Sequence, residues 1–164
     1  MEVVMKSIYV SIFASFASLL FTCSLAYASQ PQASSSESLA EQQSSLIRYF
    51  FAAARTGESD VIKTFLNAGF PINQTNPQSY TALMVAAYHG QSDIVDTLLA
   101  HGADSCIQDK RGNTAIMGAL IKGEFSIAKT LYGHECDPNL RNKAGMTLNE
   151  FAEFWGQQDR LAGE

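Results

Sequence analysis

Apolar residues along this chain come in short groups whose spacing fits one face of a helix. Ile94 and Val95 are followed one turn later by Leu98 and Leu99. Residues spaced in this way lie on one side of an α-helix, and that side packs inward. The pattern predicts helices of about two to three turns, too short to be stable alone in water. Similar groups occur at Val61, Ile62, Phe65 and Leu66 and at Ile127, Ala128 and Leu131.

Three residue types recur along the chain with the same fixed period, which is 33. The repeating positions are Gly57, Gly90, Gly123 and Gly156, then Ala53, Ala86, Ala119 and Ala152, then Thr81, Thr114 and Thr147. A fixed period of this size is typical of a solenoid, in which each unit buries its apolar face only by stacking on a neighbour. We therefore expect stacking to fold the protein.

The segment from Thr81 to Asp104 shows the repeat most clearly, and it resembles the ankyrin repeat. The residues on the ankyrin pattern are Thr81, Leu83, Ala86, Ala87, Gly90, Ile94, Val95, Leu98, Leu99, Gly102, Ala103 and Asp104. The resemblance implies an all-α ankyrin-repeat solenoid of about four helix-turn-helix units joined by hairpin-like loops. We place the repeats at about 44–75, 76–108, 109–141 and 142–164, with the last as a truncated capping unit.

The same register predicts how the first helix of each repeat begins and ends. Thr81 and Thr114 precede these helices, where a threonine oxygen can accept a hydrogen bond from an otherwise unpaired backbone N–H. Gly90 and Gly123 follow them and supply a left-handed conformation that a Cβ would penalise. We therefore expect threonine caps at the start and glycine turns at the end.

Three aromatic residues lie close together in the final unit. Phe151, Phe154 and Trp155 are expected to cover the third repeat. For Trp155 a second role stays open, contact with a partner protein, because aromatic side chains dominate both cores and interfaces.

Composition and charge exclude one class of partner. The chain has 164 residues, with 11 Lys plus Arg against 16 Asp plus Glu, and a formal net charge of −5. Binding to nucleic acids depends largely on Lys and Arg that neutralise phosphates. We therefore expect no nucleic-acid partner.

The N-terminal segment, from Met1 to Ala28, has the plan of a secretory signal peptide. Lys6 supplies a positive charge, an uncharged apolar run extends from Ile8 to Leu25, and small residues lead up to a cleavage site after Ala28. Met5 is an alternative start to Met1, since it directly precedes the basic residue. The competing interpretation is an uncleaved membrane anchor, because about 20 apolar residues can span a bilayer.

Residues 29–43 are mostly Ser, Gln and Ala, with almost no apolar side chains. Such a segment cannot bury enough surface to offset the entropy of ordering, so we predict a disordered linker. Within it, Ser38 and Glu41 have the spacing of a capping box, from which a helix could run on into the first repeat.

The sequence contains no pattern that indicates catalysis. It has no Gly-x-Ser-x-Gly elbow, no phosphate-binding loop and no Cys-His pair with a family signature. We therefore predict no enzyme activity, no cofactor and no small-molecule substrate. His134, Glu135, Cys136 and Asp137 are neighbours in one loop, but adjacent residues rarely converge on a metal ion, so no metal site is expected.

Cys106 and Cys136 are candidates for a disulfide, because the predicted export would bring them into an oxidising compartment. They lie in the connecting loops of successive repeats, and their separation of 30 differs from the period of 33, so they occupy different register positions. A disulfide needs Cα atoms within about 7 Å, and the sequence does not give their distance. The alternative is two small buried thiols.

In ankyrin proteins the partner lies in a concave groove formed by the loop tips and the exposed flank of each first helix. Carried onto this chain, the resemblance places that surface at Arg55, Gln78, Tyr80, Tyr88, His89, Lys110, Arg111, Asn113, Ile121, Lys122 and Met146. Tyr and Arg are enriched in the hot spots of protein interfaces.

The resemblance implies a monomeric, non-catalytic module that binds another protein. The chain is similar to small secreted bacterial ankyrin proteins of the periplasm, which inhibit, protect against or assist an envelope or stress enzyme. The alternative is a membrane-tethered ankyrin scaffold retained by an uncleaved N-terminal segment.

Overall fold

A computed structural model describes residues 35–134 and 136–161 of the chain. Its helices are α1 (Ser35–Thr56), α2 (Ser59–Asn67), α3 (Ala82–Tyr88), α4 (Ser92–Ala100), α5 (Ala115–Lys122), α6 (Phe125–Tyr132), α7 (Leu148–Phe154) and α8 (Gln158–Leu161). The predicted signal peptide, residues 1–28, lies outside the described residues. In the part of the chain that the structure covers, no helix has the length and apolar character needed to cross a membrane.

Helix α1 begins at Ser35 and therefore occupies part of the predicted linker. The prediction of disorder for residues 29–43 is corrected from residue 35 onward, and residues 29–34 lie outside the described part. The segment contains Leu, Ala, Glu and Gln, which lose little side-chain freedom in a helix, so it can be helical without burying apolar surface. The compact unit that carries the repeats begins at Gln42.

The helices from α2 onward form two layers of neighbours. Helices α3, α5 and α7 lie side by side as the first helices of their pairs, and α2, α4 and α6 lie side by side as the second helices. Within pairs, α3 contacts α4, α5 contacts α6 and α7 contacts α8. The repeating alanines are at most 2% exposed in α1, α3, α5 and α7: Ala53, Ala86, Ala119 and Ala152. Their small side chains let neighbouring helices approach closely, as the period predicts.

An aromatic cluster closes the first pair of helices. The ring centroid of Phe50 in α1 lies 5.4 Å from that of Phe65 in α2 and 4.6 Å from that of Phe70 in the following loop. Phe50 is fully buried. Pairs of aromatic rings at such separations stabilise a core beyond the area they bury, so this cluster strengthens the first unit's part of the continuous hydrophobic core.

The predicted caps are found at some helices and not at others. Thr81 Oγ1 accepts a hydrogen bond of 3.2 Å from the backbone N–H of Met84. Thr114 has the extended backbone of an N-cap residue, but its side chain accepts no capping hydrogen bond, so that prediction is wrong. The left-handed turns are confirmed, with φ of 72° at Gly90 and 75° at Gly123.

The final unit buries fewer aromatic residues than the sequence predicts. Phe151 is 4% exposed, whereas Phe154 is 72% exposed and Trp155 is 47% exposed. Phe151 and Ala152 are the buried residues of α7, which ends at Phe154, and Trp155 follows as its C-cap. Phe154 and Trp155 therefore belong to the surface.

Candidate binding groove

Three hairpin loops of the same construction lead into α3, α5 and α7. Each begins with Asn76, Asp109 or Asn142, whose Oδ1 accepts hydrogen bonds of 2.8 to 3.0 Å from the backbone N–H groups two and four residues later. Side chains of Asn and Asp stabilise turns in this way by replacing a backbone acceptor. The loop tips are thus held by bonds within each loop.

Hydrogen bonds also join each loop to the next. Lys110 Nζ donates to the carbonyl oxygen of Pro77 at 2.7 Å, across one full repeat of the sequence. The backbone N–H of Lys143 donates to the carbonyl oxygen of Arg111 at 2.9 Å. Asn142 Nδ2 donates to Asn113 Oδ1 at 3.0 Å. The three loops therefore form one continuous edge.

A groove of about 530 Å³ lies between this edge and the exposed flanks of the first helices. Its lining residues are Arg55, Asn76, Gln78, Tyr80, Met84, Val85, Tyr88, His89, Asp109, Arg111, Asn113, Thr114, Gly118 and Ile121. Of the residues predicted for a partner surface, it brings together Arg55, Gln78, Tyr80, Tyr88, His89, Arg111, Asn113 and Ile121.

The other three predicted residues, Lys110, Lys122 and Met146, lie outside the lining of the groove. Lys122 is just outside the lining, with its Nζ 5.1 Å from the ring centroid of Tyr88. The ammonium group of Lys110 is directed to the neighbouring loop through its bond to Pro77. Met146 is half-buried and packs against the hydrophobic core. The structure therefore does not bring Lys110 or Met146 into the groove.

Cations gather at one end of the groove, where the first helices end. Burial lowers the pKa of His89 below its usual range, and the nearby charges of Arg55 and Lys122 lower it further. The backbone of Arg55 is fixed because its carbonyl oxygen accepts a hydrogen bond of 2.9 Å from Gln91 Nε2. A neutral His89 thus lies close to two permanent positive charges at neutral pH.

A family model that describes three copies of the ankyrin repeat matches residues 50–142. The chain belongs to the ankyrin-repeat family. Ankyrin repeats generally act as protein–protein interaction modules and typically carry no catalytic chemistry, and their stacked units present extended concave surfaces. The comparison with curated proteins gives no match.

The ankyrin register reveals groove residues that the sequence analysis missed. Asn76, Asp109 and Asn142 recur with the same period as the repeat, a signal that marks all three loop starts, and the first two line the groove. Gly118 stands in α5 where the preceding repeat has Val85. A Cβ built at Gly118 would meet no atom within 4 Å. This glycine therefore leaves open space in the floor of the groove.

The exposed aromatic pair, Phe154 and Trp155, shares the register of residues on one side of the groove. Phe154 stands at the repeat position that Tyr88 and Ile121 occupy in the two preceding repeats. Trp155 stands at the position of His89 and Lys122. The ring centroids of Phe154 and Trp155 are 5.8 Å apart. Their places in the register suit the second role that the sequence left open for Trp155, contact with a partner.

The structure joins Cys106 and Cys136 by a disulfide, with a Cα–Cα distance of 5.5 Å. Ser105 Oγ beside it donates a hydrogen bond of 3.3 Å to the carbonyl oxygen of His134. The disulfide links the loops that follow α4 and α6. Among the described residues, no three His, Cys, Asp or Glu side chains are close enough to hold a metal ion.

Proposed function

We propose that this ankyrin protein is a non-catalytic module that binds another protein in the groove described above. The observation that supports this most is that residues from three successive units, among them Arg55, Tyr88 and Ile121, line a single groove. Bonds within and between the loops hold its edge in place before any partner arrives. A surface fixed in this way loses less conformational entropy on binding.

The proposal extends to the compartment and the kind of partner. We place the mature protein in the bacterial periplasm as a monomer, after cleavage behind Ala28, where it binds an envelope or stress enzyme and inhibits it, protects against it or assists it. The plan of residues 1–28 supports export. The disulfide between Cys106 and Cys136 also supports export, because such bonds persist in oxidising compartments.

The groove can be tested by filling it at Gly118. Because a side chain there would enter open space, Gly118→Trp should occupy the groove and leave the fold intact. Gly118→Ala is the matched control, since a single methyl group leaves most of the groove empty. We expect the wild type and Gly118→Ala to capture the same proteins from a periplasmic extract, and Gly118→Trp to lose them.

A second pair of changes tests the aromatic lining. Tyr80→Ala and Tyr88→Ala together should also reduce capture, because tyrosines in such grooves are frequent hot spots. Circular dichroism would establish that each variant is folded. Unchanged capture by folded Gly118→Trp and by the double tyrosine variant would show that partners bind elsewhere.

Export is tested by sequencing the N-terminus of the protein recovered from cells. A chain that begins at Ser29 in the periplasmic fraction supports the proposal. An intact N-terminus in the membrane fraction would instead support the alternative, a membrane-tethered scaffold. It would contradict the proposal that the protein is a periplasmic monomer.

A further inference from the structure

The lining of the groove carries more positive than negative charge, although the chain as a whole has a net charge of −5. Arg55 and Arg111 line the groove, and Lys122 lies beside it. Within the described residues the only ion pair is between Arg141 and Glu150, neither of which lines the groove, so no carboxylate forms an ion pair with the two lining arginines. With His89 neutral, Arg55 and Arg111 against Asp109 leave the lining with one net positive charge, opposite in sign to the charge of the whole chain.

The one carboxylate in the lining, that of Asp109, is bonded to its own loop through one oxygen. Asp109 Oδ1 accepts hydrogen bonds of 2.8 Å from the backbone N–H groups of Arg111 and Asn113. These bonds direct the carboxylate into its own loop and hold Arg111 at the loop tip. Asp109 therefore positions a cation at the edge of the groove.

The cations lie on both sides of a mainly apolar floor. Arg55 and Lys122 lie where first helices end, and Arg111 lies in the loop before α5 begins. Helix α5 has 8 residues, so its two ends are about 12 Å apart at 1.5 Å per residue. The floor between them includes Met84, Val85, Gly118 and Ile121.

We propose that the partner presents an acidic segment to this groove, with carboxylates on both sides of an apolar side chain that lies over Gly118. This inference rests on the proposed function and adds the chemistry of the partner. Arginine forms charge-assisted, often bidentate hydrogen bonds with carboxylates. A basic partner would place like charges together, which opposes binding. An extended segment covers about 12 Å in three to four residue steps, so about two to three residues separate its carboxylates.

The charge requirement is tested with two fluorescent peptides and the full exported protein. In the first, a Leu-Phe pair is flanked on both sides by Glu and Asp; in the second, Gln and Asn replace every acid. Fluorescence anisotropy should show that the acidic peptide binds at least about tenfold more tightly, and that added salt weakens its binding. Equal binding of both peptides, or no saturable binding of the acidic one, would overturn the proposal.

Charge reversal in the protein provides the matched comparison. Arg55→Glu with Arg111→Glu should reduce binding of the acidic peptide by at least about tenfold. The control reverses two exposed lysines of the second helices, Lys63→Glu with Lys129→Glu, and makes the same change in net charge. The control should bind like the wild type. If both double variants lose binding equally, the effect is one of overall charge and the proposal fails.

The same variants separate this inference from the proposed function. If Gly118→Trp abolishes capture of the natural partner and the arginine reversal does not, the groove is the interface but its partner is not acidic there. If neither change affects capture, the proposed function fails as well. Loss of capture in both supports the two proposals together.

Discussion

Ser79 and Gly112 occupy the same position in successive hairpin loops, and both have a positive backbone φ, 66° for Ser79 and 77° for Gly112. The N–H of Ser79 donates to the carbonyl oxygen of Asn76 at 2.8 Å, and that of Gly112 donates to Asp109 at 2.9 Å. Among the described residues, Ser79 is the only residue other than glycine with a positive φ. The first loop thus contains backbone strain that the second avoids.

Replacing Ser79 with glycine should relieve this strain. A residue with a Cβ in the left-handed region costs roughly 1 to 2 kcal/mol, and the greater freedom of glycine in the unfolded chain offsets part of the gain. We expect Ser79→Gly to raise the free energy of unfolding by up to about 1 kcal/mol, measured by urea titration. Ser79→Ala keeps the Cβ and should give no increase; an equal gain from alanine would contradict this explanation.

Alanine substitutions at Gly118 and Gly112 should act in opposite directions. Gly118 is inside α5 with open space above it, so Gly118→Ala should raise the free energy of unfolding by about 0.5 to 1 kcal/mol. Gly112 has a φ of 77°, and a Cβ there would lie 2.7 Å from the backbone nitrogen of Lys143. Gly112→Ala should therefore lower the free energy of unfolding by at least about 1 kcal/mol. Urea titration of both variants tests the pair.

Reduction of the disulfide should destabilise the protein. Cys106 and Cys136 are 30 residues apart, and a crosslink across that length restricts the unfolded chain enough to add roughly 3 to 4 kcal/mol. Dithiothreitol should therefore move the urea midpoint to a lower concentration. The double variant Cys106→Ala, Cys136→Ala should be insensitive to dithiothreitol, and an equal response in this variant would exclude the disulfide as the cause.

Stability should decrease in acid partly because of Glu150. Its pKa is lowered, first by the hydrogen bond from the backbone N–H of Thr147 and also by Arg141, whose Nη1 lies 2.7 Å from Glu150 Oε2. The folded state favours the carboxylate, so its contribution is present above the ordinary glutamate pKa of 4.5 and is lost as the pH falls through the lower folded value. Glu150→Gln should show a smaller loss of unfolding free energy over this range.

The exposed aromatic pair should contribute to binding rather than to stability. Phe154→Ser with Trp155→Ser should reduce capture of the partner severalfold, because exposed aromatic residues in the register of a binding groove are frequent hot spots. The change in unfolding free energy should stay within about 0.5 kcal/mol for mainly exposed positions. Tyr132→Ser, at another exposed aromatic residue on a second helix, is the control and should leave capture unchanged.

Much of the candidate site could be predicted because the register carries positions from one repeat to the next. Tyr88 and Ile121 occupy equivalent places, and both line the groove as expected. The structure leaves Lys110 and Met146 out of the lining, because each side chain takes part in contacts that the register does not describe. Lys110 bonds to a neighbouring loop, and Met146 packs against the core. Long, flexible side chains can reach several neighbours, so their direction depends on all of them.

The sequence by itself determined the period of the repeat, the stacking of units through small residues such as Ala86, and the turns at Gly90 and Gly123. These features follow from local spacing and backbone sterics. The tertiary structure alone decided that Cys106 and Cys136 meet and that Arg55 and Arg111 line one groove with Gly118. Those features depend on distances between loops and helices far apart in sequence, which local spacing does not specify.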